Sequence, residues 1–320
     1  TPPMDDGATA LSSRPGRPSG RGAPKPAARR SNAPHHRRRR AAAVAVLAVL
    51  ALLFGIVIGA GGSSAHHPQA GLAPPGFFAR VRALAGTGAG SLVVAEQKAE
   101  NGAVDRTLSY TPWVRIAGSQ HKEIALTFDD GPGPYTPAIL SVLERAHVPG
   151  TFFEVGILER YFNASTARIV ADGYPIGDHT QAHAPMSHLS RRDQLAQLLQ
   201  QTAVIGNYGA SFPRMFRPPY GLWNPNTLSL LRKYRMLMIL WTVDTSDYRR
   251  PGVSAIVKSA VSGARPGAII LLHDAGGDRS ETVAALPQIV RRLRAKGYRL
   301  VTVPRLLLDN PAPHDQDISA

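Results

Sequence analysis

The chain has 320 residues and a formal charge of +15, and it contains no cysteine, which excludes disulfides and thiolate metal centres. The charge is unevenly placed. Residues 1–40 hold ten Lys or Arg against two Asp, a net of +8, while the other 280 residues hold 27 against 20, a net of +7. The basic character is therefore concentrated in the first segment.

Residues 1–40 are rich in Pro, Gly, Ser and Arg and lack apolar periodicity, the composition of a disordered tail. They end in "HHRRRR" and run into "AAAVAVLAVLALLFGIVIGA" at 41–60, twenty residues without a charge. That is the length a helix needs to cross a bilayer. The arginines ahead of it predict a cytoplasmic N-terminus and an extracytoplasmic remainder, so the expectation is a single-pass cell-membrane protein. A cleaved signal that leads to secretion is the competing reading, but its apolar region is normally shorter. The arginine run is read as a topology signal, so no nucleic acid partner is expected, and the sequence implies no protein partner.

Residues 61–118 are Gly-, Ala- and Pro-rich with weak patterning and read as an extracytoplasmic stem, with one short helix near 76–85. Residues 119–308 read as a catalytic domain and 309–320 as a C-terminal tail. "EIALTF" is a short buried strand, and Thr136 caps a helix with Pro137 in its first turn and Ile139, Leu140, Leu143 and Ala146 on one face. "GTFFEVG" is a second strand, followed by a helix over 158–172. "LSRRDQLAQLLQQTAVI" is a further helix, with Ser190 and Asp193 placed as a capping box. "RMFR", "MLMILWTV" and "GAIILLH" read as strands, "ETVAALPQIVRRLRAKG" as a helix and "YRLVTV" as the last strand. Strands alternating with helices predict a parallel sheet, open or closed into a barrel, with its chemistry on loops at the carboxyl ends of the strands.

Five polar clusters fall at or after these strands. "TFDDGP" at 127–132 sets Asp129 beside Asp130, and like charges so close suppress each other's ionisation. "GDHTQAH" at 177–183 spaces His179 and His183 by four residues, which on a helical turn places both on one face, a metal-ligand spacing. A carboxylate with two imidazoles outlines a catalytic metal site, and a divalent cation there relieves the Asp129–Asp130 repulsion: one aspartate binds it and the other acts as a base. "FRPPYG" at 216–221 offers Arg217 to a carboxylate. "WTVDTSDY" at 241–248 carries two further acids, and "IILLHD" at 269–274 places His273 at the carboxyl edge of the sheet as a core residue or a proton donor. His121, His147 and His188 read as surface residues.

In this order, the five clusters resemble the polysaccharide deacetylase family, carbohydrate esterase family 4, over about residues 120–305. The resemblance implies a distorted (β/α) barrel and metal-dependent removal of acetyl groups from N-acetylated glycan, such as peptidoglycan or a chitin-like polymer. O-deacetylation by an esterase and an inactive glycan-binding scaffold are the alternatives. It implies Asp129 as base, Asp130, His179 and His183 as metal ligands, Arg217 as the residue that orients the base, and His273 as acid. Asp244 is the first choice for the carboxylate that tunes His273, and Asp247 the second. Leu271 is placed in the acetyl methyl pocket and Tyr220 is expected to lend a backbone N–H to the oxyanion. The metal is expected to be Zn²⁺, with Co²⁺ and Mn²⁺ compatible by ligand type. Two departures stand out: the fourth motif ends in Tyr248 rather than Trp, and Ala184 precedes Pro185 where the second motif has Pro directly after its second His. Both touch the groove wall and bear on substrate preference.

Overall fold

The computed structural model describes residues 86–317. The predicted tail, the apolar stretch at 41–60 and the short helix near 76–85 lie outside them. Among the described residues no helix is long and apolar enough to cross a membrane.

The sheet is parallel throughout its strand pairings. Its strands are β1 (Trp113–Val114), β2 (Glu123–Gly131), β3 (Thr151–Glu154), β4 (Ile176–Asp178), β5 (Met215–Phe216), β6 (Leu237–Ile239), β7 (Val243–Asp244), β8 (Ala268–His273) and β9 (Arg299–Val301). They are ordered β1-β6-β5-β4-β3-β2-β8-β7, with β9 beside the start of β2. Parallel neighbours need crossover connections, and the helices supply them: α2 (Thr136–Ala146), α3 (Gly156–Glu159), α4 (Asn163–Asp172), α5 (Arg191–Gly206), α6 (Pro225–Lys233), α7 (Val253–Ser262) and α8 (Ser280–Ala295). The described residues open on α1 (Gly86–Tyr110), and their last helix is α9 (Val303–Asp309).

Strand alternation separates two faces. Ile124, Leu126 and Phe128 of β2 join the apolar cluster of α2, α7 and α8, together with Ile270 and Leu272 of β8. Ala125 and Ile269 face the strand interior, in a second cluster with Phe153, Met215, Leu237 and Ile239. Farther along this inner face the residues become polar: Thr127, Asp129 and His273.

Several elements depart from the sequence reading. The segment expected to be stem contains α1, whose Ala103 and Val104 are buried with Val303, Leu306 and Leu307 of α9 against the inner-face cluster. Its weak apolar pattern reflects a narrow contact made by a few small residues. The expected C-terminal tail is also tied down: Gln316 Oε1 accepts from the backbone N–H of Arg115 and Ile116 at 2.7 and 3.0 Å, and Tyr110 stacks on His314. The run "MLMILWTV" is split between β6 and β7, which sit far apart in the strand order. The helix expected over 158–172 is broken into α3 and α4. Thr136 is the first residue of α2 and not its cap; its hydroxyl is engaged with Asp274 and Gly133 instead.

Candidate active site

β2 ends in a bulge. Asp129 pairs with Phe153 and Gly131 with Glu154, so Asp130 is the extra residue, at φ 70°. A bulge redirects a side chain that regular alternation would send to the other face. Asp129 also shares a register position with His273 on β8, and Thr127 with Leu271. The carboxyl edge of two central strands thereby holds two carboxylates and an imidazole.

His179 follows β4 directly, and its backbone N–H donates to Glu154 O at 3.0 Å. The segment 179–183 is an irregular loop with Thr180 at φ 70° and His183 at φ 52°, so the helical-turn argument for the two histidines is overturned. They converge because the loop folds back. Thr180 N–H donates to Asp178 Oδ1 at 2.7 Å, Ala184 N–H to Thr180 Oγ1 at 3.2 Å, and Ala182 N–H to Gln197 Oε1 of α5 at 2.9 Å. Nε2 of His179 and His183 lies 3.5 and 3.0 Å from Asp130 Oδ1. The opposite ring nitrogens are anchored, His179 Nδ1 to Arg217 O at 2.7 Å and His183 Nδ1 to Tyr220 Oη at 3.1 Å.

One ligand atom from each of Asp130, His179 and His183 lies within 4.8 Å of the others. The donor set is one carboxylate and two imidazoles whose outward nitrogens are held by further hydrogen bonds, the pattern of a metal centre with oriented ligands. It fits a divalent cation. Burial opposes the charge on Asp130, but the two imidazoles override it and hold the carboxyl well below the usual range.

Arg217 is wholly buried, and each of its three guanidinium nitrogens donates a hydrogen bond. Nη1 donates to Asp129 Oδ1 at 2.6 Å and to Thr127 Oγ1 at 2.8 Å, Nε to Ile239 O at 3.0 Å, and Nη2 to Leu240 O at 3.2 Å. The guanidinium stacks 4.1 Å above the Phe153 ring. Burial pulls its pKa down and Asp129 opposes the pull. Asp129 is thus fixed by one oxygen while Oδ2 stands 3.9 Å from His179 Nε2.

The partner of His273 is Asp247, not Asp244. Asp247 Oδ1 lies 2.7 Å from His273 Nδ1, and Oδ2 accepts from His273 N–H and Thr282 Oγ1, both at 2.8 Å. Asp244 is exposed and closes a turn by accepting from Ser246 N–H at 2.6 Å. Two acids three residues apart look alike in sequence; the short helical turn at Asp247–Arg249 turns only the second inward. Burial alone would lower the pKa of His273, but the Asp247 hydrogen bond and charge dominate, with Asp129 and Asp130, and raise it from 6.5 to about 9.

Tyr220 is 64 % exposed at φ 60°, its ring edge-on to His183. Tyr248 is exposed with its ring 5.3 Å from that of His273. Leu271 is buried two residues before His273 on the same face of β8, beneath the site. His121, His147 and His188 are exposed, as expected.

Asp274 ends the "IILLHD" motif without a role legible in the sequence. It is fully buried, accepts from Thr136 Oγ1 at 2.5 Å, and lies so close to Gly131 that a Cβ there would meet both its oxygens at 2.6 Å. Burial raises its pKa to about 7, with Asp130 and Asp129 adding to the rise. Gly276, at φ +75°, lies against Asp130 in the same way. The Gly-Gly pair after "HDA" was the available signal.

The polysaccharide deacetylase family profile matches residues 117–239. A chitooligosaccharide deacetylase of Sinorhizobium fredii is 35 % identical over 212 residues, covering 62 % of this chain and 99 % of the relative. The chain belongs to the polysaccharide deacetylase family. A peptidoglycan-N-acetylglucosamine deacetylase of Bacillus cereus is 37 % identical over 192 residues, covering 59 % of this chain and 90 % of its own length. A solved peptidoglycan N-acetylglucosamine deacetylase, in complex with 4-naphthalen-1-yl-N-oxidanyl-benzamide, superposes with a TM-score of 0.61 at 29 % identity. That match covers 65 % of this chain and 97 % of that one. The parallel, curled β/α sheet is the fold of this family.

Proposed function

We propose that the chain is a metal-dependent hydrolase that removes acetyl groups from N-acetylglucosamine units of a cell-surface glycan, peptidoglycan or a chitin-like polymer. The observation that carries this reading is a single edge of the sheet holding three parts. A three-ligand cluster, Asp130, His179 and His183, stands beside an arginine-fixed carboxylate and an imidazole paired with an acid. The names of the relatives point to the same substrate class.

A divalent cation held by the three ligands would supply Lewis acidity toward the acetyl carbonyl and lower the pKa of a water beside it. Asp129, held through Oδ1 by Arg217, removes the proton of the attacking water through Oδ2. The water oxygen forms a bond to the carbonyl carbon. His273, protonated at neutral pH because of Asp247, gives its Nε2 proton to the sugar nitrogen as the C–N bond breaks. Acetate and a free amine leave. Leu271, buried beneath His273, would line the pocket for the acetyl methyl, and the exposed Tyr220 and Tyr248 rings, beside His183 and His273, would line the groove for the sugar. The stretch at 41–60 is proposed to hold the catalytic domain at the outer face of the cell membrane.

The test is acetate release from N-acetylglucosamine oligomers and from peptidoglycan, with and without a chelator. Chelator-sensitive release is expected; release unaffected by chelation, or none from either glycan, overturns the reading.

A further inference from the structure

The helices run antiparallel to the parallel strands. Their C-terminal ends therefore gather at the amino edge of the sheet, opposite the candidate active site. That edge is basic. Lys122 precedes β2, Arg145 ends α2, Arg265 precedes β8, and Arg291, Arg294 and Lys296 lie at the end of α8. All six are exposed, and none forms an ion pair among the described residues. The nearest acid of α2, Glu144, is engaged by Arg168 at 2.8 Å.

Helix C-termini favour cations, which explains a basic residue or two. Arg294 has such a role, donating to Ala146 O at 2.8 Å and His147 O at 3.0 Å. Arg145 and Arg291 do not. They flank a groove of about 400 Å³ between α2 and α8 whose floor is apolar: Val142, Ala146, Pro287 and Val290. An apolar floor rimmed by unpaired guanidinium groups complements an amphiphilic anion, and a row of such charges along one edge complements a surface of them. The sequence adds a source. An uncharged stretch at 41–60 is separated by 25 residues from the first described residue.

We propose that this amino-edge face rests on an anionic phospholipid bilayer, with phosphate headgroups at Arg145 and Arg291, so that the active-site mouth points away from the membrane toward the glycan. The idea rests on the membrane-attached reading of the chain, and the test separates the two.

The full chain has no cysteine, so single labels are clean. Ala295→Cys places a fluorophore on the basic face, and Asn226→Cys places one at the carboxyl edge, on the first turn of α6. Each protein is mixed with vesicles of phosphatidylglycerol or of phosphatidylcholine that contain a headgroup quencher. Quenching at 295 but not 226, in phosphatidylglycerol only and weakened by added salt, is expected. The variant Arg145→Glu/Arg265→Glu/Arg291→Glu should lose at least tenfold of this lipid-selective contact, since each basic residue contributes severalfold at an anionic surface. Its acetate release from a soluble oligosaccharide should be unchanged, which shows that it folds. Equal quenching at both positions, equal quenching in both lipids, or quenching that survives the triple change overturns the proposal. Sedimentation with vesicles reads the anchor separately. A chain that pellets with both lipids but shows no lipid-dependent contact at 295 retains its anchor and refutes the docked face. A chain that pellets only with phosphatidylglycerol refutes the anchor; because the basic segment at 1–40 can also hold such vesicles, the face is then decided by the quenching at 295 and its loss in the triple variant.

Discussion

Asp129 and Asp130 are adjacent in sequence, yet both carboxylates reach the same imidazole nitrogen. His179 Nε2 lies 3.5 Å from Asp130 Oδ1 and 3.9 Å from Asp129 Oδ2. A regular strand would send them to opposite faces. The bulge at Asp130 cancels one step of the alternation. The two acids nevertheless differ in what holds them: a buried guanidinium for Asp129, two imidazoles for Asp130.

That difference makes the pair separable. Asp129→Asn leaves all three ligand side chains in place and should lower kcat by at least about a hundredfold, the scale of a lost general base. Its metal content should match the parent protein. Asp130→Asn should instead lose metal. Metal analysis beside single-turnover acetate release checks both, and equal metal loss in the two variants would contradict the assignment.

Arg217→Met removes the partner of a buried carboxylate and leaves an uncompensated charge, a loss of about 3–5 kcal/mol. The urea midpoint should fall accordingly. In Asp129→Asn/Arg217→Met the orphan charge is gone, so part of the loss should return. Additive losses in the double variant would mean that Arg217 acts through its contacts to Ile239 and Leu240 rather than through Asp129.

The longer strands were legible because β2, β3 and β8 are apolar runs bounded by Gly or Pro; β4 was not, because Ile176 is its one apolar side chain before Gly177 and Asp178. The ligand set was legible as motifs. The reason the ligands converge was not, since the loop after β4 depends on the Asp178, Thr180 and Gln197 hydrogen bonds rather than on helical spacing. The choice between Asp244 and Asp247 depends on a left-handed Ser246, which no local pattern announces. Helix α1 is not legible because, over 95–110, only Ala103, Val104 and Thr107 are buried, too few to set up a period. Asp274 is not legible because it packs, just after β8, against Gly131 at the end of β2, a contact that sequence distance hides.

The pH profile should report the His273–Asp247 pair. The pKa of His273 is raised in the folded protein to about 9. The ion pair therefore stabilises the fold fully below the unfolded value of 6.5 and is lost as pH rises through 9. The acid form of His273 follows the same course, so activity should fall on the alkaline side. A divalent cation held by Asp130 would oppose the rise and shift that limb toward lower pH. Asp247→Asn removes the main cause of the rise and should move the alkaline limb to lower pH. Asp244→Asn, in an exposed turn, should leave it unmoved. An unmoved limb in Asp247→Asn would mean that another group is the acid.

A pair of glycine substitutions separates backbone strain from site geometry. Gly209 and Gly276 both have left-handed φ values, +77° and +75°, so alanine at either costs about 1–2 kcal/mol of stability. A Cβ at Gly209 meets nothing within 4 Å, whereas one at Gly276 would lie 2.4 Å from Asp130 Oδ2. Gly276→Ala must therefore push the Asp130 carboxylate away from His179 and His183 or shift its own loop. Gly209→Ala should lose stability alone. Gly276→Ala should lose stability and at least about tenfold in metal affinity, the effect expected when the groups that orient a ligand are disturbed. Thermal unfolding and metal competition titration read the two effects separately. Equal metal affinity in both variants would show that the loop around Gly276 yields without moving Asp130.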